Sequence, residues 1–442
     1  MKKIISILKY IGVFILVILI FNIGLFLTCN FNSNKIEKKV IESYNILRQE
    51  DSSYRVSRIF NVWNNNYTDA VIINESYSVD NKHPFLSYMK VRKNYKKGLT
   101  QHELPESTGE GISVNYNYET GEEIYEYDYD SIGELYDFIN GNIHYSVNYG
   151  RYWHGYLILF RPLLLICNIS EIRAILHISF VLLLLLFVFL VYKRFNISIA
   201  LIYGLSIITC GYLTASYSLE SSSVFLIMII SSIIYIKRID KMKNFNIFIF
   251  IVGCITNYFD YLTVPLITLG VLSSLYMLKL LEEKKDWKYC LKELIIGSLL
   301  WLIGYAGTWI FKWIQYDLTI NDVNNMLKIG FVQSFYRMER VNDIVGDSSI
   351  IYRTIDLIGV ASFYSLIITF IIMIINKFKM FSNSINKNAI PFLLIALYPV
   401  VWYIVLANHT LIHYYFTYRH TIIFTLGICL FTYEQLFNSS KR

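Results

Sequence analysis

Apolar windows about 20 residues long recur along this chain, but unevenly. The first covers residues 4–29 and the second begins only at about 172. Between them runs a polar, tyrosine-rich stretch of about 140 residues, from about Asn30 to about Ser170. Beyond it the pattern predicts spans at 172–192, 196–214, 221–236, 245–259, 262–279, 293–311, 354–376, 390–407 and 420–437, which with 4–29 makes ten. Within 245–279, Asn257, Tyr258, Asp260 and Pro265 separate two short apolar halves, which form either two spans or one broken or re-entrant element. The first window continues to Leu27 with no small-x-small cleavage pattern, so it is expected to be a retained span rather than a secretory leader.

Composition agrees with the windows. With 55% hydrophobic residues and mean hydropathy +0.43, the chain carries more apolar surface than a soluble core of this length hides. The expected fold is an all-α polytopic membrane protein in three parts: a first transmembrane helix (1–29), a loop domain (30–170) and a multi-span bundle (171–442). Charge sets the orientation. With the N-terminus inside, the inner segments hold 19 of the 40 Lys and Arg, the outer loops after residue 200 hold 6, and the first loop holds the other 15. That bias places both termini in the cytoplasm and the large loop outside a cell membrane. It also accounts for the net charge of +7 without a nucleic-acid partner. Six scattered cysteines with no CxxC argue against a disulfide framework or a zinc cluster.

The outer stretch has three parts. Residues 35–50 place Ile36, Val40, Ile41, Tyr44 and Leu47 at helical spacing, for a helix lying on the membrane surface or packed within the loop. Residues 98–150 hold eleven Asp and Glu and no Lys or Arg, the composition of a solvated surface. Residues Tyr149 to Leu176 are apolar yet carry Arg151, His154, Arg161 and Pro162, which suits a kinked interfacial helix with its aromatics at headgroup level.

One N-terminal span, a large outer loop bounded by surface helices, and a further bundle resemble the GT-C class of integral membrane glycosyltransferases. The strings Arg151-Tyr152-Trp153-His154-Gly155, Asn257-Tyr258-Phe259-Asp260 and His409 to Arg419 are similar to those of bacterial membrane proteins assigned to that class. The resemblance implies a polyprenyl-phosphate sugar donor, an envelope glycan, lipid or protein acceptor at the outer face, and an acidic catalytic residue in the first outer loop. Inverting transfer needs a carboxylate near the acceptor hydroxyl and cations near the departing phosphate.

Asp69 is the first candidate base, Glu75 the second and Asp260 a third; Asp69 reads equally as a helix cap and Asp260 as a turn cap. Arg151 and His154, one helical turn apart, are candidates for the lipid phosphate, as are His409, His413, Arg419 and His420 in the last outer loop, with Arg337 and Arg340 in the loop before it. His409 and His413 stand at i, i+4 without an acidic third ligand, so a divalent metal has no clear site and the cofactor is unknown. A transporter or flippase would place ionisable groups at mid-membrane depth, and none lies at the centre of a clear span. A scaffold displaying the loop explains the cationic outer strings less well.

Overall fold

The computed structural model describes residues 2–51, 53–57, 62–95, 112–117, 122–127, 131–141, 145–320, 325–339, 350–377 and 386–437. It is predominantly helical. Helix α1 (Lys2–Cys29) leads into the segment expected to lie outside, called the outer segment below, built from α2 (Glu37–Glu50), α3 (Tyr67–Tyr77), α4 (Pro84–Met89), α5 (Ser131–Ile139) and α6 (Leu157–Leu163). Three two-stranded antiparallel pairs accompany these helices: β1 (Ser53–Ser57) with β2 (Val62–Asn65), β3 (Arg92–Tyr95) with β6 (Tyr145–Asn148), and β4 (Ile112–Asn117) with β5 (Glu122–Tyr127). The β3–β6 pair brings the two ends of a 50-residue excursion together, Arg92 opposite Asn148.

The bundle follows as α7 (Ile169–Arg194), α8 (Ile197–Thr209), α9 (Tyr212–Ala215), α10 (Leu219–Arg238), α11 (Phe245–Phe259), α12 (Leu266–Glu282), α13 (Trp287–Thr319), α14 (Met326–Met338) and α15 (Ile350–Ile375). It ends with α16 (Ile390–Ala396), α17 (Tyr398–Val405), α18 (Ala407–Ile412), α19 (Tyr414–Thr417) and α20 (Thr421–Leu436). Six stretches are long and apolar enough to cross a membrane: Ile7–Cys29, Ile169–Arg194, Leu219–Arg238, Trp287–Thr319, Ile350–Ile375 and Lys387–Val405. The windows at 196–214, 245–259, 262–279 and 420–437 become shorter helices of 13, 15, 17 and 16 residues. The first of these stops where Gly211 takes φ +81°, a left-handed turn that an ordinary residue resists. The most apolar window of α10 is 72% buried and that of α15 only 22%, so among the long stretches α10 is the most enclosed and α15 the most peripheral.

The amphipathic pattern of α2 resolves inward. Val40, Tyr44 and Leu47 are buried, and the helix packs on α3, α5 and α7. Two buried cations hold the segment together: Arg161 ties α6 to α3 and the chain after α1, and Lys312 ties α4 to the bundle. Arg161, on α6, is fully buried and donates to the carbonyls of Phe31 (2.7 Å) and Ser76 (3.2 Å) and to Ser33 Oγ (3.0 Å). Its guanidinium also lies 4.1 Å from the Phe31 ring centroid. It is therefore enclosed by protein. Lys312, on α13, donates from Nζ to the carbonyls of Tyr88 (3.0 Å) and Met89 (3.4 Å), the exposed ends of α4.

Candidate functional site

The acidic candidates occupy three different environments. Asp69, in the first turn of α3, is fully buried; Oδ2 receives Arg173 Nη2 at 2.8 Å and Oδ1 receives the Leu219 N–H at 2.9 Å. Arg173 also donates to Glu50 (2.8 Å) and to Asn66 Oδ1 (2.8 Å). The assembly ties the outer segment to α7 and to the start of α10. Burial raises the Asp69 carboxyl from its ordinary range, and the Arg173 charge opposes that rise. A carboxylate whose charge is met by a guanidinium and whose oxygens are both engaged makes a weak proton acceptor.

Asp260 ends α11 in the turn before α12. Oδ1 accepts the Thr263 N–H and hydroxyl, each at 2.8 Å, and Oδ2 accepts the Tyr305 hydroxyl at 2.9 Å. These are all neutral donors, and among the described residues no ion pair forms at this carboxylate. It is oriented without being neutralised. Burial pushes it up to about 6 against those hydrogen bonds, near the range in which a carboxylate both holds and releases protons at neutral pH.

Glu75, near the end of α3, is also fully buried and also held by neutral groups. Its Oε2 accepts the Tyr156 hydroxyl, in a very short contact, and the Tyr261 hydroxyl at 2.8 Å. His154 Nδ1 lies 3.5 Å away. Glu75 Oε1 is buried with no hydrogen-bond partner among the described residues. The stacked rings of Tyr156 and Tyr261, 4.7 Å between centroids, form a wall that connects Glu75 to the Asp260 turn through one peptide bond.

Residues 149–156 differ from the helix expected there: they form an irregular strap of turns, and α6 starts only at Leu157. Arg151 and His154 therefore do not share a helix face. His154 sits at φ +54°, binds the Tyr149 carbonyl at 2.8 Å and meets the Tyr156 hydroxyl, so its ring turns toward Glu75. Arg151 lies against the rings of Tyr149 and Tyr152. The strap is pressed onto α11: the Gly155 N–H donates to the Tyr258 carbonyl at 2.9 Å, and a Cβ at Gly155 would collide with that same oxygen. Leu262, in the Asp260 turn, also takes a left-handed φ of +64°. Two non-glycine residues in this region, one on each packed loop, cost roughly 1–3 kcal/mol each and are held there by their surroundings.

Three further pieces converge on the same place. Arg337, from α14, donates to the Tyr152 hydroxyl at 2.8 Å and lies over Trp309. The Tyr152 hydroxyl feels the charges of Arg337, Arg151 and Asp260 together. His409, on α18, reaches the Leu262 carbonyl at 2.8 Å, and its ring lies 4.8 Å from that of His413. Burial holds His409 well below its ordinary value and takes His413 down to about 4, so both rings are neutral hydrogen-bonding groups at physiological pH. Arg419 donates to Ser221 Oγ at 3.2 Å, beside Glu220, which lies among the charges of Asp69, Arg419 and Asp260. The last outer segment is rich in unmet hydrogen-bonding capacity. Trp402 Nε1, Thr410 Oγ1, His413 Nδ1, Thr417 Oγ1, Arg419 Nε and both ring nitrogens of His420 are buried and have no partner among the described residues.

Comparison with protein families, curated proteins and solved structures finds no match to this chain. The site must be read from its own chemistry. Among the described residues no cluster of three His, Cys, Asp or Glu side chains is placed to hold a metal. Arg340 lies outside the described residues. Sequence reasoning found Asp260, Arg337, His409 and Arg419 but missed Tyr152, Tyr156, Tyr261, Tyr305 and Trp309, which form the walls. In a chain with 37 tyrosines, no single one stands out. The available signal was adjacency: Tyr152, Tyr156 and Tyr261 flank residues already singled out.

Proposed function

We propose that this chain is a membrane glycosyltransferase of the GT-C type, with the outer segment and the outer ends of about ten helical crossings enclosing the reaction site. The donor is a polyprenyl-phosphate sugar and the acceptor is an envelope glycan, lipid or protein. One observation carries the reading: Asp260, an acid held only by neutral donors, acts on Tyr152 together with Arg151 and Arg337, and its turn is reached through His409 by the segment whose buried hydrogen-bonding groups have no partner among the described residues. Orphaned N–H and O–H groups in a buried setting are what a phosphate oxygen satisfies. In this scheme Arg337, Arg151 and Arg419 supply charge, and His409 and His413 add neutral hydrogen-bonding rings beside the Asp260 turn. The four short helices cross with the six long ones, both termini stay in the cytoplasm and the loop faces outward.

The chemistry follows from the charges. The acceptor hydroxyl oxygen attacks the anomeric carbon as the bond from that carbon to the phosphate oxygen breaks. The phosphate leaves with the bonding electron pair and is stabilised by the guanidinium groups, while the hydroxyl proton passes to Asp260. Asp69 holds Arg173 and the α10 N-terminus in place.

Purified protein in liposomes, supplied with a radiolabelled polyprenyl-phosphate sugar and envelope extract, provides the test. Asp260→Asn is expected to slow transfer by about a hundredfold or more and Arg337→Ala to raise KM for the lipid donor. Undiminished transfer by both variants, or movement of the labelled lipid between leaflets with no sugar transferred, would reject the proposal in favour of a flippase.

A further inference from the structure

The end of α10 opposite the Leu219 N–H carries a cavity of about 510 Å³, lined by Lys237, Arg238, Lys241 and Met242. The 20 residues of α10 place it roughly 30 Å from the Asp69 cluster. The stretch Leu219–Arg238 is long and apolar enough to cross a membrane, so its basic end belongs at the level where hydrocarbon gives way to water. The carbonyls of Ile236 and Arg238 at this end are already met by the N–H groups of Ile239, Lys241 and Met242. What the cavity offers a ligand is side-chain charge.

That charge has no counterpart in the protein. Asp240 is the one acid in the basic run from residue 237 to residue 243, and it turns to Arg194 at 3.1 Å, which also binds Glu282 at 2.7 Å. Lys237, Arg238 and Lys241 are exposed, and none forms an ion pair or a side-chain hydrogen bond among the described residues. Three cations around one concavity repel one another, and an anion between them relieves that repulsion.

The rest of the helix identifies the anion. Although α10 is the most enclosed of the long stretches, Ile230 and Ile234 are each 43% exposed. Ile230, Ile234, Arg238 and Lys241 follow one another at helical spacing and share one face. An apolar strip therefore runs into the cationic cavity. A free phosphate uses only the cavity, whereas an amphiphile uses both. A zwitterionic headgroup brings an ammonium as well, and no carboxylate lines the cavity to receive it. We infer that one anionic phospholipid seats here, its phosphodiester held by Lys237, Arg238 and Lys241 and an acyl chain lying along Ile234 and Ile230. This site is separate from the chemistry at Asp260 and does not depend on the transferase reading.

Native mass spectrometry of the full-length protein released from detergent, after titration with phosphatidylglycerol, phosphatidylcholine or inorganic phosphate, counts the bound molecules. The wild type is expected to keep one phosphatidylglycerol in preference to phosphatidylcholine, and an equal concentration of inorganic phosphate should not displace it. The combined change Lys237→Gln, Arg238→Gln and Lys241→Gln should weaken that binding by about tenfold or more. These side chains are exposed, so the melting temperature should not move. Lys284→Gln, Lys285→Gln and Lys288→Gln together remove the same charge from the junction of α12 and α13 and should leave the lipid in place. Equal retention by the first triple variant would overturn the inference, as would equal loss in the second, which marks general attraction to basic protein. Equal binding of phosphatidylcholine, or displacement by inorganic phosphate, would overturn it too.

Discussion

Two polar clusters meet the start of α10, one at the Leu219 N–H and the other where Arg419 reaches Ser221, and they are built on opposite principles. In the first, Asp69, Arg173, Glu50, Asn66 and the Leu219 N–H satisfy one another, a cation matched to two carboxylates. In the last outer segment, between Trp402 and His420, seven buried polar atoms have no partner among the described residues, and Asp260 nearby meets only neutral donors. Burial alone does not separate a structural charge from a reactive one, because both clusters are buried. Completeness does. A closed network holds elements together, and an open one waits for something.

The sharpest way to break that contrast is to open the closed cluster. Asp69→Ala leaves Arg173 with a single, half-exposed carboxylate and should cost about 3–5 kcal/mol, the usual penalty for stranding a buried charge. Thermal unfolding in detergent measures it. A loss of activity with full stability would instead return Asp69 to the reaction. Gly155→Ala should rank next, since its methyl group collides with the Tyr258 carbonyl and the strap must move off α11; about 1–3 kcal/mol and most of the transfer rate should be lost together.

Changes at the open cluster should alter rate and leave stability nearly intact. The carboxyl of Asp260 must be ionised to accept a proton, and burial raises it to about 6, so kcat/KM should climb with pH through about 6 and then level off. Asp260→Asn should lose that limb. The stability effect has the opposite sign. The folded state binds this proton more tightly than the unfolded chain, whose value is 3.8, so the contribution of Asp260 to stability falls as pH rises from about 4 to about 6. Asn168→Ala, which removes the capping box at the start of α7 and touches neither cluster, should cost about 1 kcal/mol and leave kinetics unchanged.

How much of this was legible in the sequence depends on range. Hydropathy located the helices, since each apolar window reports on itself, and the break at Asn257 to Pro265 marked the Asp260 turn correctly as the junction of two short helices. Asp260 finds its partner Thr263 only three residues on, whereas Asn257 Oδ1 has none among the described residues. The strap at 149–156 was misread because its apolar and cationic residues have helical spacing, while the close fit of Gly155 to Tyr258, over 100 residues away, overrides the local preference. Arg173 and Lys312 were not recognised as clamps for the same reason: their partners lie 104 and 224 positions distant. Pairings of that kind leave no local trace, so the choice of Asp69 over Asp260 could not have been made from spacing.

The knot around Asp69 also sets a timetable for biogenesis. Its N-terminal half, with Asp69, is synthesised first, while Arg173 arrives about 100 residues later and the Leu219 amide about 150. At typical elongation rates of about 5–20 residues per second, that interval is several seconds or more. During it the newly made segment has a bare carboxylate and no keystone, so it finishes folding only after helices still emerging from the ribosome have joined it.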